Sequence, residues 1–72
     1  MTQTQKLEAK MNNLLKLIND HADQLTADDI NTLNLTGFLY SVSRLNALQA
    51  TARLVAVALA FMPLNDIVEA ME

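Results

Sequence analysis

The chain has 72 residues, a net charge of −3, 51% hydrophobic residues and no cysteine. A chain of that length is one domain, and it buries only about 60% of its unfolded surface, so it leans on disulfides, metal or oligomerisation for stability. Disulfides are excluded, a zinc centre is not expected, and the acidic balance argues against nucleic acid or an anionic membrane as partner.

The apolar mass is mainly Leu, Ala, Val, Ile and Met, with Phe38, Phe61 and Tyr40 the only aromatics. These residues suit helices better than strands. One glycine and one proline leave few turns for a β fold. The expected class is all-α: a bundle of three to four helices in a single domain, 1–72, completed by homodimerisation.

The first segment spans about 4–24. Leu7, Met11, Leu14, Ile18, His21 and Leu25 follow one another at alternating intervals of four and three. That is heptad periodicity, and it predicts an amphipathic helix whose opposite side carries Glu8, Lys10, Lys16 and Asp20. Thr26-Ala27-Asp28-Asp29 then resembles a capping box, with Asp29 in place of the usual Glu or Gln. Leu25 before the cap and Ile30 after it read as a hydrophobic staple. A second helix is therefore expected to start at Ala27.

Asn34-Leu35-Thr36-Gly37 holds the only glycine and a second capping residue. The reading is a short helix over 27–34, a turn, and a long helical stretch over 37–62 with a potential break near Asn46. Pro63 ends that stretch, because the residue before proline is pushed out of the helical region. A last short helix runs from Asn65 or Asp66 to Met71.

The stretch 38–62 carries only Arg44 and Arg53 as charges, and Leu54 to Met62 is apolar all round. Such a helix is buried on all sides, and the remaining segments are too short to enclose it. A second copy is expected to do so, with Leu54, Val55, Val57, Ala58 and Phe61 at the interface. An acid at Ala56 or Val57 would then dissociate or unfold the protein. Tyr40, Phe38, Phe61, Met11 and Met62 read as core, and Met71 as core or exposed at the terminus.

Few residues could carry chemistry. His21 is the one side chain that titrates near neutrality, and it reads as a half-buried helix-terminal residue rather than a ligand or base. Asp20, Asp23, Asp28 and Asp29 form an acidic corner. They lack the alternating ligand spacing, central glycine and closing Glu of a calcium loop, so they read as caps and solvated surface, or as a patch for a basic partner. Arg44 and Arg53 read as snorkelling charges, or as anchors in a protein interface.

No cofactor, catalytic centre or nucleic-acid partner is expected. The functional expectation is a cytoplasmic, non-catalytic helical interaction module whose partner is itself or another protein. Two alternatives remain. One is a DNA-binding regulator with a helix-turn-helix whose recognition helix begins Gly37-Phe38-Leu39-Tyr40, which is too apolar for a groove reader. The other is a membrane-surface protein using 54–71, which lacks the Lys/Arg face such helices show. No membrane span is expected, since the longest apolar run is about half a bilayer crossing. The Asn34-Leu35-Thr36 sequon carries no weight, because 1–16 is too polar to read as a secretory signal.

Overall fold

The computed structural model describes residues 2–72, and its regular structure there is helical. Helix α1 spans Gln3–Asp20, α2 Ala27–Ser41, α3 Ala47–Ala58 and α4 Leu64–Met71, with a 3₁₀ turn at Ala22–Gln24 between the first two. α1 packs against α3 and α4, and α2 packs against α3. The result is a slab of 33 × 26 × 15 Å.

Three helices open on the same device. Thr2, Thr26 and Asn46 each accept a hydrogen bond from the backbone N–H three residues on, and Gln5, Asp29 and Gln49 each accept one from the cap's own N–H. At α2 the two bonds measure 3.2 and 3.1 Å, and at α3 2.8 and 2.9 Å. Each box satisfies two of the four orphan donors at a helix start. The Thr26–Asp29 box is the one expected, with aspartate serving where glutamate is usual. Leu25 packs against the core, whereas Ile30 remains exposed.

The expected turn at Thr36-Gly37 is absent: α2 runs through it to Ser41. The Thr36 hydroxyl does not cap a new helix but donates back to the Thr32 carbonyl at 2.7 Å. Helix α2 stops five residues later, in a Schellman motif. Arg44 N–H donates to the Leu39 carbonyl (2.8 Å) and Ser43 N–H to the Tyr40 carbonyl (3.1 Å), with Ser43 left-handed at φ 61°. The stretch 37–62 is thus the end of α2, a turn and α3, with the break at the Asn46 cap. α1 likewise ends at Asp20, and the heptad continues into the 3₁₀ turn. α4 starts at Leu64, one residue before the expected Asn65.

The chain's one glycine therefore sits mid-helix, and the one left-handed residue among those described is a serine. A Cβ at Gly37 would meet nothing within 4 Å. Gly37→Ala is expected to stabilise the fold by about 0.5–1 kcal/mol, and Ser43→Gly by about 1 kcal/mol. Urea denaturation of each variant checks this. A destabilised Gly37→Ala would restore the turn at 37.

The core is built from Met11, Leu14 and Ile18 of α1, Ala50, Leu54 and Ala58 of α3, Met62, and Ile67 of α4. Leu14 and Ile18 are wholly buried, and each contributes about 1.5–3 kcal/mol on the usual area scale. Helix α3 buries Ala47, Ala50, Thr51, Leu54, Val57 and Ala58 along one face. Its other face carries Leu48, Gln49, Ala52, Arg53 and Ala56, with Leu59 and Ala60 following in the turn, all exposed. The run 54–62 that reads as apolar all round is covered on its inner side only, and leaves Ala56, Leu59 and Ala60 exposed.

Candidate functional surface

Helix α2 carries two apolar stripes. The inner one is Leu33, Thr36 and Tyr40, which with Gly37 faces Met11 and Leu15 of α1 and Ala50 and Leu54 of α3 across an apolar crevice of about 60 Å³. The outer one is Leu35, Phe38 and Val42, which are 52, 61 and 46% exposed. At 100° per residue, these three point within about 60° of one another and away from the inner stripe. Ile30 is also exposed, but it points about 110° round the helix from this stripe. No charged residue occurs between Ile30 and Ser43. Asp28 and Asp29 stand before the stripe and Arg44 after it, the first two in the dipole-favoured first turn.

Further exposed apolar side chains lie at Leu48, at the end of α3 (Leu59) and on α4 (Leu64, Val68). Leu48 and Leu59 share one face of α3 and its C-cap but are three turns apart, with Ala52 and Ala56 exposed between them, whereas the α2 stripe sets three large apolar side chains within two turns.

The residues expected at an interface fall elsewhere. Leu54, Val57 and Ala58 are buried in the chain's own core, where α1, α2 and α4 cover them, and Val55 and Phe61 pack half-buried against that core. Self-association is not needed to bury them. Phe38, read as core, is the most exposed aromatic side chain; Met11 and Met62 are buried, and Met71 is half-buried against the core.

The acidic corner is spread over three pieces of chain. Asp20 ends α1, Asp23 lies in the 3₁₀ turn, and Asp28 and Asp29 open α2. The Asp29 carboxylate is engaged by the Thr26 N–H, while Asp20, Asp23 and Asp28 are exposed. Among the described residues, no group of three or more His, Cys, Asp or Glu is placed to hold a metal ion.

His21 caps α1. Its Nδ1 lies 2.9 Å from the Leu17 carbonyl, and since a carbonyl only accepts, Nδ1 carries the proton. Its ring stands 6.0 Å from that of Phe61, tilted by 39°. The side chain therefore closes the last turn of α1 and joins it to the segment after α3. Partial desolvation, and then the neighbouring Glu8 carboxylate of α1, push the Tyr40 phenol above its usual 10.

The segment drawn as a recognition helix, 37–42, is the last part of α2 and its cap. The amphipathic run 54–71 is broken by the turn at 59–63, and its Leu54, Val57, Ala58, Met62 and Ile67 point inward. No helix among the described residues is long and apolar enough to cross a membrane. Compared with protein-family models, curated proteins and solved structures, the chain matches none.

Proposed function

We propose that the chain is a non-catalytic helical interaction module that works as an oligomer. The observation that supports this is the outer stripe of α2: a phenylalanine, a leucine and a valine on one uncharged helical face, each about half exposed. Monomeric proteins leave such residues scattered, and a contiguous stripe marks an interaction surface. The total surface agrees. A compact monomer of 8.0 kDa exposes about 4,450 Å², and this chain exposes 4863 Å².

Light scattering over a concentration series, with circular dichroism in parallel, tests the reading. The expected result is a helical species whose mass rises with concentration to at least twice 8.0 kDa. A helical species that stays at the monomer mass up to about millimolar concentration, too weak an association for a stable interface, would overturn it.

A further inference from the structure

We infer that α2 is a lid: it opens as one unit from the apolar groove between α1 and α3, while α1, α3 and α4 stay packed together. This is a property of the single chain and goes beyond the oligomeric reading. It starts from how little holds α2 down. Helix α1 seats Met11, Leu14 and Ile18 in the core, α3 seats Leu54 and Ala58, and α4 seats Ile67. In its 15 residues α2 buries only Thr36, a polar side chain whose hydroxyl donates to its own helix at Thr32. Leu33, Leu39 and Tyr40 are half-buried. Ile30, Leu35 and Phe38, with Val42 at the cap, stand exposed and add little to its hold.

The seam under α2 is also incomplete. The crevice of about 60 Å³ separates Leu33 and Tyr40 of α2 from Met11 and Leu15 of α1 and Leu54 of α3. Side chains that line such a gap lose dispersion contacts across it. Gly37 faces the same crevice without a side chain. The hydroxyls of α2 and its cap are spent locally, Thr26 with Asp29, Thr36 with Thr32 and Ser41 with Phe38. The polar approach of α2 to α1 is Tyr40 beside Glu8. A segment with few buried apolar contacts opens at a lower free energy than the whole fold. Helix α4 also packs at an edge, but the fully buried Ile67 and the buried Met62 just before it anchor it. Short segments, 21–26 and 42–46, join α2 to its neighbours and serve as the hinges. With α2 swung away, Met11, Leu15 and Leu54 line an open apolar groove.

Native-state hydrogen exchange of the full chain, read amide by amide, tests this beside Ile67→Val and Phe38→Glu. The amides of Leu35 to Leu39, mid-helix in α2, are expected to be at least about tenfold less protected than those in the middle of α1 and α3. Ile67→Val trims the body away from the seam, and is expected to lower the protection of α1 and α3 about threefold to tenfold. The protection of α2 is expected to hold within about twofold in that variant, because its opening leaves Ile67 packed. Phe38→Glu, expected to be monomeric, covers the case of a lid held shut by a second copy: α2 then loses its protection in that variant while α1 and α3 keep theirs. Mid-helix amides of α2 as protected as those of α1 and α3 in both the native chain and Phe38→Glu would overturn the lid. So would α2 protection that falls in step with α1 and α3 in Ile67→Val, the mark of one cooperative unit. Exchange confined to the ends of α2 would overturn it as well, since that is fraying.

Discussion

Leu14→Ala is expected to lower the unfolding free energy by about 2–5 kcal/mol, measured by urea denaturation at fixed protein concentration. Leu14 is fully buried where α1 meets α3 and α4, so its truncation leaves a cavity in the core. A domain of this length has only about 4–11 kcal/mol of stability in total. The loss is therefore a large share of the whole, and the variant is expected to be partly unfolded at moderate temperature. A loss below about 1 kcal/mol would mean that this position is not core and that α1 turns a different face to α3.

Two adjacent residues of α3 are expected to respond in opposite ways to an acid. Val57 is 7% exposed and faces the interior; Ala56 faces solvent. Val57→Asp buries a carboxylate with no cationic partner in the core. Either the charge or the protonated acid must be desolvated there, at a cost of at least about 3 kcal/mol once the lost packing is included. Helicity at neutral pH is expected to collapse. Ala56→Glu adds an exposed carboxylate to a helix surface, where the expected change is within about 0.5 kcal/mol. Circular dichroism and thermal melts of the two variants separate the cases. If Ala56→Glu dissociated an oligomer, α3 and not α2 would carry the interface.

Much of this fold is legible in the order of residues, and its gaps have particular causes. The α1 stripe is readable because Met11, Leu14 and Ile18 keep heptad spacing opposite a polar side, with Leu15 and Leu17 only widening the stripe. The Thr26–Asp29 box is readable because its chemistry is local. The end of α2 is not, because two turn signals are inverted. Glycine, the usual punctuation, lies mid-helix at 37, and the left-handed position is filled by Ser43, which announces nothing. The backbone bonds from Arg44 and Ser43 stop the helix without any side-chain signature.

The proposed interaction surface was hidden by composition. An apolar run invites burial on every side, and the alanines of α3 count as apolar while needing little cover. That weight drew the expected interface to Leu54, Val57 and Ala58, which the chain covers by itself. The signal that does mark α2 is the doubling of its pattern. Residues 33, 36 and 40 form one helical stripe and 35, 38 and 42 form another, so one helix has more apolar surface than a single core can take up.

The proposed role of the outer α2 face is tested most directly by sedimentation equilibrium of the native chain beside Phe38→Glu, whose site is exposed. The expected result is a native species of at least twice 8.0 kDa and a helical Phe38→Glu variant at the monomer mass. A native chain that stays monomeric up to about millimolar concentration, or a variant that associates as the native chain does, would contradict it.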